Sequence, residues 1–283
     1  MKIKSTIISA LIMLVCQHAY CQSNEKEILV ALSKINALRK VSGLDSVTLS
    51  KKLSDGCSKH ARYLILNRSN GITEGLEAHK EYKEFKGYSI IGEIAGKHSV
   101  ISFENPVYAI DQFTNSFYHR IPLLQPNLKE VGIGYEKDEK MSITVVDCSS
   151  SMDYSDTNLM PIIFYPTVDQ KNVAVVLCDE YPDPIDRSLR DSYAAGLPIT
   201  IFFSNNQTIT EVKFSLLEKG FEEIKCFVST PESPATDFSQ WNTVCAIPTS
   251  PLNSNTAYTV NFSCKIDGVV YSKTYTFITT LDE

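Results

Sequence analysis

The stretch "AYTVNFSCKIDGVVYSKTYTFITT", residues 257–280, constrains the fold more than any other part of the chain. Asp267-Gly268 lies between two runs of alternating apolar and polar residues. That pattern demands a two-residue hairpin with a type I′ turn, in which both central residues take positive φ. The turn sets the register: Cys264 faces Tyr271, Val260 faces Tyr275 and Tyr258 faces Phe277. The apolar residues of both strands then share one face, and only Lys273, opposite Phe262, breaks the pattern. From Gly196 onward the rest also reads as strand and turn. Residues 196–283 are therefore expected to form an all-β sandwich of the immunoglobulin-like kind.

The first half has a different texture. "EKEILVALSKINALRKVSG" puts Ile28, Leu32, Ile35 and Leu38 on one helical stripe, with Gly43 as a stop signal. "SKKLSDGCSKHARYLILN" starts from Ser50 as N-cap and aligns Leu53, Cys57, His60 and Leu64, so His60 faces inward. "NPVYAIDQFTNSFYHR" opens with Asn105 as cap and Pro106 at the first helical position, and is read as a helix that delivers His119 at its end. "VGIGYE" and "MSITVVDC" read as strands. Helices with strands interspersed irregularly predict an α+β domain over residues 25–180. The proline-punctuated stretch 181–195 is read as a linker.

Residues 1–21 carry Lys2 and Lys4, then an apolar run from Thr6 to Cys16, then Ala19-Tyr20-Cys21. This is the pattern of a cleaved secretory signal; the run is too short to span a bilayer. No later segment reads as a membrane helix, so the protein is expected to be secreted, extracellular or periplasmic. Losing Lys2 and Lys4 takes the formal charge from −6 to −8, and no basic cluster occurs. Nucleic acid and anionic membrane are thereby excluded as expected partners. Six cysteines remain after the signal: Cys57, Cys148, Cys178, Cys226, Cys245 and Cys264. In an exported chain these are disulfide candidates. Cys57 lies on an inward helical stripe and Cys148 ends a core strand, so these two are expected to pair. The connectivity of the other four stays open.

Glu93 stands inside "SIIGEIAG", between apolar pairs and glycines, where a carboxylate needs a partner. His79 and His119 supply candidates. Two neutral imidazoles with a carboxylate nearby are the composition of an open zinc site or of an acid–base cluster. His98 is read as solvated, Arg120 as a surface residue, and His60 as packing or cleft-lining.

The segments "INALRKVSGLDSVTLSKKLSDGCSKHARYL", "EAHKE", "IGEIAG", "AIDQFTNSFYHRIPLL" and "EVGIGY" follow the order found in the CAP superfamily of cysteine-rich secretory, antigen 5 and pathogenesis-related proteins, which the chain resembles over roughly residues 30–135. The resemblance implies a three-layer α-β-α sandwich with a cleft. It places His79, Glu93 and His119 there, with Ser116 at the position of a second acidic residue. A serine there resembles the bacterial branch of the family, whose secreted members often carry a C-terminal immunoglobulin-like domain.

The reading is a secreted, non-enzymatic protein that binds a small apolar ligand, a protein partner, or zinc or another divalent cation through His79 and His119. One alternative is a hydrolase, a peptidase or cell-wall enzyme, with Glu93 as general base. Another is an adhesion or scaffold protein acting through the β-sandwich. Oligomeric state is not legible in the sequence.

Overall fold

The structure is a computed structural model; it describes residues 24–152, 160–219 and 222–281. The expected signal at 1–21 lies outside these residues. Helix α1 spans 24–41. Ile35 and Leu38 are buried and Ile28 and Leu32 pack half-buried against the same core, so the stripe forms as expected. Gly43 follows with φ +74°, ending the helix in the left-handed conformation that glycine adopts at least cost.

Strand β1 (Thr48–Leu49) leads into α2 (Lys51–Asn67); then come α3 (Ile90–Lys97), β2 (Ser99–Ser102), α4 (Pro106–Thr114), α5 (Arg120–Leu123), β3 (Glu130–Lys137) and β4 (Ser142–Asp147). The four strands form one sheet in the order β1-β3-β4-β2. Period-2 alternation along β4 sorts its side chains between two cores. Ile143 and Val145 join Cys57, Ala61 and Leu64 of α2. Val146 and the following Cys148 join Ile35 of α1 and Ile110 and Phe113 of α4. Helices therefore cover both faces, which makes the three-layer α-β-α arrangement.

The same alternation corrects the expected disulfide. Cys57 and Cys148 lie on opposite faces of the sheet, and all six cysteines of the described residues are free thiols. Burial pushes the Cys57 and Cys148 thiols well up, which suppresses thiolate chemistry.

The second half contains β5 (Ile163–Tyr165), β6 (Gln170–Val173), β7 (Ile199–Phe202), β8 (Ile209–Glu218), β9 (Glu222–Ile224), β10 (Cys226–Ser229), β11 (Thr243–Pro248), β12 (Ala257–Ile266) and β13 (Val269–Thr279). They make two sheets, β10-β11-β7-β5 and β6-β13-β12-β8-β9. Phe164 of β5 reaches across to Phe262 of β12 and Tyr275 of β13, at ring-centroid distances of 6.5 and 5.4 Å. The hairpin β12–β13 has the expected register, with Asp267 at φ +50° and Gly268 at φ +82°. β5 and β6 precede residue 180, yet they pair with β7 and β13. The sandwich thus begins ahead of the expected boundary. One continuous core runs from Ala31 to Phe277 through both halves.

Candidate functional site

The site starts from a short 3₁₀ turn, Gly75–His79, laid against α3. His79 Nδ1 sits 2.9 Å from the Gly96 carbonyl oxygen. A carbonyl only accepts, so Nδ1 carries the proton and Nε2 keeps its lone pair. Burial lowers the pKa of this imidazole, and the neighbouring His60 lowers it further against the pull of Gly96. His79 is therefore neutral at physiological pH.

Glycines make this approach possible. A Cβ on Gly96 would lie 2.6 Å from His60 Cε1 and 2.8 Å from the His79 carbonyl oxygen, and one on Gly92 would run into the Glu81 carboxylate. Gly96→Ala is expected to destabilise the chain by about 1–3 kcal/mol through overpacking. A melting temperature equal to that of the wild type would show that α3 can lift off without loss.

His60 itself is fully buried, with Nε2 2.8 Å from the Ala78 carbonyl and Nδ1 3.0 Å from Glu81 Oε1. Glu81 Oε2 also accepts from the Ser89 amide at 2.9 Å. This pair lies behind the turn that carries His79 and ties it to α2 and α3. His60, read as packing or cleft-lining, packs behind the cleft, and its partner Glu81 looks in "HKEYKEF" like one charge of a solvated run.

α4 stops at Thr114, short of the expected length. The amides that would have continued it bond to Glu180 instead: Phe117 and Tyr118 donate at 2.5 and 2.8 Å, and His119 at 3.3 Å. Glu180 comes from the connector after β6, and its side chain is fully buried. Its carboxylate also lies 3.5 Å from His119 Nδ1. Burial pushes the Glu180 pKa up to about 8, against the opposing effect of the three amides and of Arg120. Nothing in "LCDEYPDP" distinguishes this acid from a solvated one, and sequence reasoning missed it.

Ser116 is buried; its hydroxyl donates to the Phe113 carbonyl at 3.1 Å and lies 3.4 Å from His119 Nδ1. With its own proton committed, Ser116 can accept from the imidazole. With Ser116 Oγ as the acceptor, the His119 ring carries its proton on Nδ1 and leaves Nε2 with a lone pair. Burial lowers its pKa to about 4, with a further push from His79.

His79 and His119 line one cleft of about 170 Å³, with His98, Val100 and Ile121 beside them. The second half of the chain adds Tyr181, Phe238 and Trp241 to the lining. Glu93 is not among the lining residues. Its carboxylate is held below the usual range by Lys97, at 2.6 Å, and by the Tyr88 hydroxyl, at 2.9 Å. Of the expected trio, then, two histidines meet and the acid stays on α3. Arg120, expected at the surface, is fully buried instead. It donates to Thr114 O, Pro198 O and Thr200 Oγ1 at 2.6, 2.8 and 3.0 Å, and stacks 4.2 Å over the Tyr165 ring.

An α-β-α sandwich with two histidines facing a cleft defines a class of domain. Residues 32–148 are similar to the family model described as CAP, the cysteine-rich secretory protein family, and a β-rich region follows them. No curated protein matches the chain. No helix of the described residues is long and apolar enough to cross a membrane.

Proposed function

We propose that the chain is an exported, non-enzymatic binding protein whose CAP-like cleft holds, at His79 and His119, either a small ligand or a divalent cation such as zinc. One observation carries this reading. Two neutral imidazoles from separate segments line a single cleft, each with its Nδ1 side engaged and its Nε2 lone pair left over. That is the state in which imidazole ligates a cation, and the acceptor behind each ring fixes the tautomer. Zinc usually takes three or four protein ligands. Among the described residues no group of three or more potential ligands converges. The donor set therefore fits an ion completed by water. His79 and His119 hold and orient; a cation, when bound, supplies Lewis acidity.

The export reading is supported by the charged and apolar pattern of residues 1–21. The immunoglobulin-like reading of the sandwich is supported by its two packed, largely antiparallel sheets. The hydrolase alternative needed Glu93 at the cleft and finds no support in its pairing with Lys97 and Tyr88.

Calorimetric titration with zinc tests the cation. One ion per chain is expected, with affinity lowered tenfold or more, about 1.4 kcal/mol or more, in His79→Ala and in His119→Ala. Heat no greater than dilution, or affinity unchanged in both variants, overturns the cation part of the reading.

A further inference from the structure

Sixteen residues line the cleft, and none of them is acidic. The one ammonium group there, on Lys97, is bonded to Glu93. The lining thus presents no unpaired acid or ammonium group to a ligand. Its polar groups include imidazole nitrogens and serine hydroxyls, and the residues it takes from the second half of the chain include the aromatic Tyr181, Phe238 and Trp241.

This aromatic wall is built to stay in place. Phe238 is 40% exposed but braced edge-on by Tyr118 at a centroid distance of 5.1 Å, and the Tyr118 hydroxyl shares a hydrogen bond of 2.7 Å with Thr236. Trp241, the chain's single tryptophan, takes φ +49°. A bulky residue in the left-handed region costs about 1–3 kcal/mol, and such strain persists only when the surroundings enforce it. They do so on both sides. Gln240 accepts from Ser229 Oγ at 2.6 Å and donates to Thr243 O at 2.7 Å. Asn242 donates to Ser204 O and Gln207 O at 2.7 and 2.9 Å. Tyr181, 62% exposed, completes the wall.

We propose that this cleft is a saccharide site: it takes one neutral pyranose ring, stacked by its C–H face on Trp241, Phe238 and Tyr181, with ring hydroxyls donating to Nε2 of His79 and His119. The inference rests on the reading of the cleft as a ligand site and names the ligand's class. An alkyl chain would leave both imidazole acceptors buried and unpaired, which is costly. A carboxylate would set its own lone pairs against theirs. A ring with an apolar face and hydroxyls at its edge satisfies both the aromatic and the imidazole groups of the lining. The cleft's volume of about 170 Å³ is small beside the roughly 300–1,000 Å³ of drug-sized pockets, and suits a single ring.

Trp241 gives the full chain a built-in reporter. Its emission would be followed during titration with methyl α-D-glucopyranoside, methyl β-D-galactopyranoside and N-acetylglucosamine, in chelator, with sodium benzoate and sodium hexanoate as comparators. A saturable change with at least one of the sugars is expected, weakened tenfold or more in Phe238→Ala and in Tyr181→Ala, whose exposed rings can be removed without unfolding the chain. No saturable change with any sugar, saturation by benzoate or hexanoate alone, or affinity unchanged in both variants overturns the proposal. Zinc binding without a sugar response sinks the saccharide inference alone. A sugar response without zinc binding sustains it and sinks the cation reading alone.

Discussion

Glu180→Ala is expected to lower the melting temperature of the full chain by about 10 °C. The substitution strands the amides of Phe117, Tyr118 and His119. Breaking such a buried arrangement from one side costs about 3–5 kcal/mol. Each kcal/mol corresponds to about 2–4 °C for a chain of this size. A pH dependence follows from the same carboxyl. Its folded pKa is raised to about 8, so the folded chain keeps a proton that the unfolded chain has already released. This contribution is fully present below the ordinary carboxyl pKa and is lost as pH rises through the folded value. His119 acts in the opposite sense: with a folded pKa of about 4, it adds stability as pH rises from there towards the ordinary histidine value near 6.5. The two slopes oppose each other below pH 6.5, and Glu180 acts alone above it. Melting in chelator at pH 6.5 and pH 8 should therefore show the wild type losing about 2 kcal/mol. Glu180→Gln, which cannot titrate, should lose much less. Equal losses in the two proteins would refute the assignment.

Arg120→Met is expected to destabilise the chain by a similar amount, about 3–5 kcal/mol. Three hydrogen bonds disappear, to Thr114, Pro198 and Thr200, along with the stacking on Tyr165. Thr114 belongs to α4, whereas Tyr165, Pro198 and Thr200 belong to the sandwich or its approach, so this one side chain ties the two halves together. Because Glu180 and Arg120 stabilise each other's charged forms, their removals should not add. Urea denaturation at about pH 9, where the Glu180 carboxyl is ionised, of Arg120→Met, Glu180→Gln and the double variant should give a coupling of about 1–3 kcal/mol, the double variant being more stable than the sum of the single ones predicts. Additivity within about 0.5 kcal/mol would show that the two groups act independently.

The parts legible in the sequence are those in which local pattern and tertiary role coincide. The Asp267-Gly268 turn fixed its own hairpin because type I′ geometry admits few residues, and pairing then follows residue by residue. The stripe of α1 was legible because a 3.6-residue period survives burial on one face. His79 and His119 could be named from motif order. What stayed hidden depends on contacts distant in sequence. Glu180 ends α4 from more than sixty residues downstream, and Arg120 looks like any surface cation until the sandwich closes over it. The Cys57–Cys148 expectation failed for a plain reason: an inward-facing helix residue and a strand-end residue can both be buried while a sheet lies between them. The aromatic wall was invisible because Tyr181, Phe238 and Trp241 lie in stretches without periodicity.

The pairing of β6 with β13 imposes an order on folding. Gln170 is matched to Phe277 and Val173 to Thr279, partners more than a hundred residues apart. A chain synthesised or exported from its N-terminus must hold residues 170–173 unpaired until its final strand emerges. Loop closure over that span contributes entropy before any contact rewards it. The first half can assemble its own sheet early, but the aromatic residues that join its histidines in the cleft come from the second half. The complete cleft is then a property of the finished chain, and a polypeptide arrested before β13 would carry its two histidines without a closed sandwich beside them.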